Sequence, residues 1–464
     1  MASKSQENEE QESSPQVVVV MVPLPAQGHL NQLLHLSRLI SAHDITVYYV
    51  GTTTHTRQAK LRVHGWDPSS ITNIHFQEFP TTPFDNPSPN PNTPIKFPSQ
   101  IMPSLNATTN LRKPIYEFTN KLSRTSKRVV VIYDALMSYV VQDIDNSVPN
   151  AELYCFRSIS AITVFHWEAA KLDLLPSGPE FFKEIVSSES YFSPEFGEFR
   201  NLQRGARNVS SGDIFNSNRG IEGLYLDLLA KGKAEKMWAI GPFNPIKVKK
   251  GASNHKSLDF LEKQEQEPNS VILVSFGTTS SLPDKQIEEI AHGLERSEQK
   301  FIWVIRDADK GDIFRGEVRK AELPKGFEER VKERGIVVRD WAPQLEILGH
   351  SSIGGFMSHC GWNSCMESIS MGVPLATWPL HSDQPGNAAL ITKVLKIGVQ
   401  VKNWTSNGND DLVLSSNVEL AVRKLMASPE GDEMRKRAAE LGDAVKKSAA
   451  EGKEMDSFIT HITR

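Results

Sequence analysis

Residues 16–24, QVVVVMVPL, restrict the possible folds more than any other segment of this chain. Uninterrupted β-branched residues suit a strand buried on both faces of a parallel sheet, because an edge or half-exposed strand would alternate with polar residues. Pro23, Pro25 and Gly28 break the run. LNQLLHLSRLIS then places Leu30, Leu33, Leu34, Leu36 and Ile40 at helical spacing, and ITVYYVG is a second strand. A β-loop-α-β unit of this kind is the building block of an open parallel sheet.

The unit recurs. RVVVIYD, ending at Asp134, and AELYCFRS continue the first set of strands, and Trp238–Pro242 closes it. A polar, Lys-rich stretch over 242–269 reads as a linker. The pattern restarts with SVILVSFG, KFIWVIRD, GIVVRDWAP, SSIGGFMSH, GVPLATWP and IGVQVK, with helices between. The expectation is α/β: two Rossmann-like parallel-sheet domains facing across a cleft, with boundaries at 16–241 and 270–445. A disordered tail over 1–15 precedes them and a helix over 446–464 follows. Residues 80–103 form a Pro/Asn-rich loop too long for a simple connector, hence either disordered or functional.

Composition narrows the function. With 52 Lys+Arg against 56 Asp+Glu among 464 residues, no basic excess marks a nucleic-acid binder. The three cysteines, Cys155, Cys360 and Cys365, make neither a disulfide framework nor a zinc pattern. MASKSQENEEQESSPQ lacks the apolar core of a secretory signal, and Val17–Leu24 is far shorter than a membrane span. These features lead to the expectation of a cytoplasmic protein with no membrane insertion and no nucleic-acid partner. The first turn, PLPAQGHLNQ, lacks the G-x-G-x-x-G of dinucleotide sites, and neither a P-loop nor a G-x-S-x-G elbow occurs.

Two sites remain. His29 leaves a strand for a helix and Asp134 ends another strand, so both fall at the carboxyl edge of one sheet, where open α/β sheets bind ligands. A carboxylate-oriented histidine is a general base; two junction residues, one capping a helix, fit the same spacing. The second site is the stretch Trp341–Gln384, rich in Gly, Trp and polar residues. SSIGGFMSH reads as a strand, CGW as a turn, and Asn363-Ser364 as the start of a helix whose N–H groups and dipole suit a diphosphate, with His359 just before it. Glu367 either reaches a sugar hydroxyl or closes a capping box with Ser364. Asp307-Ala308-Asp309 is either a divalent-metal pair or a solvated loop.

That 44-residue stretch, with WAPQ, HCGWNS and a terminal DQ, resembles the signature box of plant UDP-dependent glycosyltransferases. SFGT at 275–278 and PLPAQGH at 23–29 extend the resemblance across the chain, which is most similar to the zeatin O-glucosyl/O-xylosyltransferase branch in VYYVGTTTHTRQAKLR and FIWVIRDADKGDIF. The resemblance implies a GT-B fold and inverting transfer without a metal or other cofactor. It implies His29 as base and Asp134 as its partner. It further implies Trp341 on the uracil with Ala342 beside it, Gln344 and Glu367 on the ribose, and Thr278, His359, Asn363 and Ser364 on the diphosphate. Trp362, Asp383 and Gln384 would address the sugar. The acceptor is expected to be a small hydrophobic hydroxylated metabolite, held near Phe156, Ser158, Trp167 and His381, with Phe165 as a further aromatic candidate; for any single one of Phe156, Phe165 and Trp167, plain core beside a strand is the favoured alternative. A zeatin-type cytokinin leads, with a flavonoid, isoflavonoid or other phenolic as the alternative. UDP-xylose as donor also fits, as does a non-catalytic nucleotide-sugar-binding protein. The cleft needs no second chain, so a monomer is expected.

Overall fold

The computed structural model describes residues 17–93, 97–168, 182, 185, 191–206, 210–233, 236–248, 255–317, 319–403 and 412–464. The tail expected over 1–15 lies outside them. The first sheet contains β1 (Val17–Val22), β2 (Thr46–Thr52), β3 (Ile74–Phe79), β4 (Arg128–Asp134), β5 (Ala151–Arg157), β6 (Asp213–Phe215) and β7 (Met237–Ala239). Its spatial order is β3-β2-β1-β4-β5-β6-β7, with every pairing parallel. The second contains β8 (Val271–Ser275), β9 (Lys300–Val304), β10 (Gly335–Val338), β11 (Ile353–Ser358), β12 (Leu375–Thr377) and β13 (Gly398–Gln400) in the order β10-β9-β8-β11-β12-β13, again all parallel.

Burial explains the unbroken apolar run in β1. Val17, Val19 and Met21 pack with Leu30, Leu33 and Leu34 of the helix Gln27–Ser41, while Val18, Val20 and Val22 pack on the other face with Ile101, Met102 and Leu105. All six strand residues are buried. β8 repeats the arrangement, with Leu273 facing Met366 and Ile369 and Val274 facing Ile287 and Ile290. β3 and β6 carry no such signal and escape pattern reading. β3 is a sheet edge, buried at Ile74 and largely half-exposed beyond it, and β6 has only three residues.

One expectation gains detail and another needs correction. The stretch 242–269, expected as a linker, is packed at both of its described ends. Phe243 is buried and its N–H donates to Asn216 Oδ1 at 3.0 Å. Asn244 Nδ2 donates to Ser370 Oγ at 3.0 Å, and a helix over Lys256–Glu262 buries Phe260 and Leu261. The helix expected over 446–464 is two elements: Pro429–Glu451 ends at Gly452, whose φ of 68° only glycine adopts freely, and Lys453–Thr463 comes after it. The latter returns to the first sheet, burying Phe458 and Ile462 in the cluster that holds Tyr154 and Trp238. Arg128 donates to the Ile462 carbonyl at 2.9 Å.

Candidate active site

Parallel strands present their carboxyl ends on one edge, and the two edges face a shared cavity of about 340 Å³. His29, in the first turn of the Gln27–Ser41 helix, faces it from the β1 side. Its Nδ1 lies 2.6 Å from Asp134 Oδ2, and the Asp134 carboxylate is wholly buried behind it. Asp134 Oδ1 accepts the Leu136 N–H at 2.9 Å. Asp134 therefore makes both contacts: one oxygen caps the next turn and the other engages the histidine. A carboxylate can only accept, so Nδ1 carries the proton and Nε2 is left as the acceptor. Burial pulls the His29 pKa down, but the Asp134 charge, the hydrogen bond to it and the more distant Asp383 outweigh that, leaving it raised above 6.5.

Across the cavity, the helix Trp362–Met371 begins at Gly361 without a side-chain cap. The capping-box reading fails because Glu367 pairs elsewhere. Gln344 Nε2 donates to Glu367 Oε2 at 2.6 Å and to Ser364 Oγ at 3.0 Å. Burial pushes the Glu367 carboxyl up to about 7, and nearby Glu346 adds to the effect. His359 is held edgewise: a Cβ on Gly277 or Gly361 would come within 2.5 Å and 2.4 Å of its ring. Burial lowers its pKa to about 4, so it is a neutral imidazole, and its Nδ1 has no hydrogen-bond partner. It can stabilise an anion by a hydrogen bond and not by its own charge.

Asn363 Nδ2 donates to the Gly28 carbonyl at 2.7 Å, tying this helix to the His29 turn. The Trp362 indole donates to the Asn216 carbonyl at 2.8 Å. Asp383 is raised to about 6 by burial, against the Asn387 hydrogen bond that lowers it. Gln384 spends its carbonyl oxygen on the Leu380 and His381 N–H groups. Trp341 is flanked by His64, parallel to within 3° at 5.3 Å, and by the guanidinium groups of Arg62 and Arg306 at 4.5 and 5.2 Å.

All eleven residues expected at the donor side line the cavity: Thr278, Trp341, Ala342, Gln344, His359, Trp362, Asn363, Ser364, Glu367, Asp383 and Gln384. Ser158, Trp167 and His381 line it too. Phe156 does not. It is fully buried against Phe243, and the cavity is reached instead by Arg157, Ser158 and Ile159 at and beyond the end of the strand. Phe165 is likewise core, packed beside Phe182 and Tyr225. Aromatics that do line the acceptor end are Phe97, Phe192 and Phe196, with Phe97 stacked on Phe196 at 3.8 Å. Phe97 belongs to the Pro/Asn-rich loop whose length had marked it, whereas no local pattern distinguishes Phe192 or Phe196 from core. Asp307 and Asp309 diverge: Asp309 pairs with Arg62 at 2.6 Å and Arg306 at 3.2 Å, while Asp307 accepts from Ser281. No cluster of three or more metal-ligating side chains occurs among the described residues.

Comparison with known proteins agrees with this geometry. The family described as "Glycosyltransferase, N-terminal domain" matches residues 15–245, and "UDP-glucoronosyl and UDP-glucosyl transferase" matches 249–424. The chain is a UDP-glycosyltransferase of the plant family. This glycosyltransferase is 54% identical to a zeatin O-glucosyltransferase of Phaseolus lunatus, with 97% of each chain covered. It is 51% identical to a zeatin O-xylosyltransferase of Phaseolus vulgaris, covering 97% of this chain and 98% of that one. A Glycyrrhiza uralensis enzyme solved with glycyrrhetinic acid 3-O-monoglucuronide superposes with a TM-score of 0.78 at 26% identity, covering 97% and 96% of the two chains. The two-sheet arrangement is thus the GT-B fold. No helix among the described residues is long and apolar enough to cross a membrane.

Proposed function

We propose that the enzyme transfers glucose from UDP-glucose to the side-chain hydroxyl of a zeatin-type cytokinin, with inversion at the anomeric carbon. The observation that carries this reading is the 2.6 Å His29–Asp134 pair on the wall of a cavity that also reaches Trp341, Glu367 and Asp383. In the reaction, His29 Nε2 takes the acceptor hydroxyl proton as the oxygen attacks the anomeric carbon. The bond from that carbon to the diphosphate breaks, and UDP leaves with the electron pair. Asp134 stabilises the imidazolium that forms. The free N–H groups at the start of the Trp362–Met371 helix and the neutral His359 stabilise the departing diphosphate, a role that asks for no metal.

Trp341 and Ala342 would hold the uracil, Gln344 and Glu367 the ribose, Thr278, Asn363 and Ser364 the diphosphate, and Trp362, Asp383 and Gln384 the sugar. Phe97 and Phe196 offer a flat apolar wall suited to a planar acceptor, and Ser158, Trp167 and His381 complete that end of the cavity. The cleft is closed by the two sheets and asks for no second chain, so we read the enzyme as a monomer and its compartment as the cytoplasm.

The two relatives of nearly equal identity are named for different sugars, which keeps UDP-xylose as a second donor reading. Incubation with trans-zeatin, flavonols, isoflavones and simple phenols, each with UDP-glucose or UDP-xylose and with or without excess chelator, tests donor, acceptor and metal independence together. Zeatin O-glucoside formed in chelator is the expected product. Sugar appearing on phenolics alone would overturn the cytokinin assignment, and loss of turnover in chelator the metal-free one.

A further inference from the structure

A buried amide outside these donor and acceptor roles joins the two halves of the cavity. Asn387 lies in the short helix Gln384–Ala389 and is completely inaccessible to solvent. Its Oδ1 accepts from Ser160 Oγ at 2.5 Å and Thr163 Oγ1 at 3.3 Å. Its Nδ2 donates to Asp383 Oδ2 at 2.6 Å and to the Cys360 carbonyl at 2.9 Å. Those four contacts use the whole capacity of an amide, and the orientation is fixed because hydroxyls lie at one end and acceptor-only oxygens at the other.

The partners divide by function. Ser160 and Thr163 open the helix Ala161–Glu168, which lines the acceptor end of the cavity through Val164 and Trp167. Asp383 lines the donor end. Cys360 holds a left-handed φ of 63°, rare for a residue with a side chain, immediately before the turn that starts the Trp362–Met371 helix. Closeness of the two helices is built in separately: a Cβ on Gly386 would lie 2.5 Å from Thr163 Oγ1. A larger residue would force the helices apart and break the amide's bonds to the hydroxyls.

We propose that Asn387 is a positioning residue that couples the acceptor-side helix to the Asp383 carboxylate, so that the sugar is held in register with the bound acceptor. The proposal rests on the reading of Asp383 as a sugar contact. Because one Asp383 oxygen is tied to Asn387, the carboxylate has one defined rotamer and its other oxygen is left for a sugar hydroxyl. A charge-assisted hydrogen bond is among the stronger ones, and a misplaced partner forfeits it.

The test compares full-length Asn387→Asp, Ser160→Ala/Thr163→Val and Asp383→Asn with the wild type. It measures UDP binding by calorimetry, the KM for UDP-glucose, and the pH profile of kcat/KM. In Asn387→Asp the amide donor facing Asp383 becomes a second acceptor of the same size. The expected result is UDP affinity within about twofold of wild type, a UDP-glucose KM raised on the order of tenfold, and an acid limb displaced to higher pH. Ser160→Ala/Thr163→Val leaves both Asn387 Nδ2 bonds intact, removes only the long 3.5 Å contact of Thr163 Oγ1 with the Asp383 carbonyl on the donor side, and is expected to raise the UDP-glucose KM about threefold with UDP binding unchanged. Equal weakening of UDP and UDP-glucose in Asn387→Asp would reduce the residue to a structural brace and overturn the proposal. So would a wild-type UDP-glucose KM in the double variant. Should Asp383→Asn keep the wild-type KM, the sugar reading of Asp383 falls first. An Asp383→Asn defect beside a normal Asn387→Asp would overturn the coupling alone.

Discussion

Asn363 Nδ2 donates to the carbonyl of Gly28 at 2.7 Å, one residue before His29. The helix start proposed to face the donor diphosphate and the turn that carries the proposed base, His29, are therefore one hydrogen-bonded unit, although 335 residues separate the partners in sequence. Asn363→Ala is expected to lower kcat more than it raises the KM for UDP-glucose, by roughly tenfold, since one half-buried hydrogen bond is lost and the proposed base gains freedom. Steady-state kinetics at saturating donor checks it, and a pure KM effect would be the contrary result.

His29→Ala removes the proposed base and is expected to cut kcat ~10²–10⁴-fold with UDP binding unchanged. Asp134→Asn offers Nδ1 a neutral partner in place of a charged one and leaves the Leu136 cap available. It should retain the fold by circular dichroism while losing most of the activity.

The pH dependence has a definite sign. The His29 pKa is raised above 6.5, and the base must be neutral to act, so kcat/KM falls as pH drops through that raised value. Removing the Asp134 charge leaves burial as the dominant influence, which moves the acid limb of Asp134→Asn to lower pH. The stability term runs the other way. A raised histidine pKa contributes stability that is complete below 6.5 and is lost as pH rises through the folded-state value.

Glu367 gives a second sign test. Burial raises its carboxyl from 4.5 to about 7, so the stability contribution present below 4.5 is lost as pH rises through about 7. Glu367→Gln is expected to raise Tm at pH 8 and to leave it nearly unchanged at pH 4, with an upper bound of ~3 kcal/mol from the shift. It should also weaken UDP binding. Thermal melts at the two pH values, with calorimetry, separate the effects, and a lower Tm at pH 8 would contradict the assignment.

Phe156 and Phe97 should respond oppositely. Phe156→Ala leaves a cavity in a closed core and is expected to destabilise by ~3–5 kcal/mol with little change in acceptor KM. Phe97→Ala, half-exposed on the cavity wall, should raise acceptor KM with a small stability cost. Denaturant titration and acceptor kinetics on the two variants decide it.

Much of this protein is legible in the chain itself, and the reason is locality. The apolar runs of β1, β4 and β8 are continuous because both faces are covered, and a buried parallel strand leaves that mark within a single short segment. His29, Asp134 and the stretch from Trp341 to Gln384 fall at strand ends, where a parallel sheet collects its functional groups, so their placement is set by order along the chain. Partnerships across the cavity left no such mark. Phe156 and Ser158 are two positions apart, so strand alternation does not separate them; β5 ends at Arg157, and only Ser158, past that end, reaches the cavity. Glu367 could have capped its own helix until Gln344 came within 2.6 Å. The sequence leaves Asp309 between a solvated loop and half of a metal pair, whereas in the fold Arg62, from the other domain, pairs with it at 2.6 Å. The contacts of Asn387 with Ser160 and Asn363 with Gly28 join residues 227 and 335 positions apart. Chain order sets which groups reach the cleft; only the packing of one domain against the other selects which of them meet, because hydrogen bonds and burial act over a few ångströms and have no periodicity to announce them.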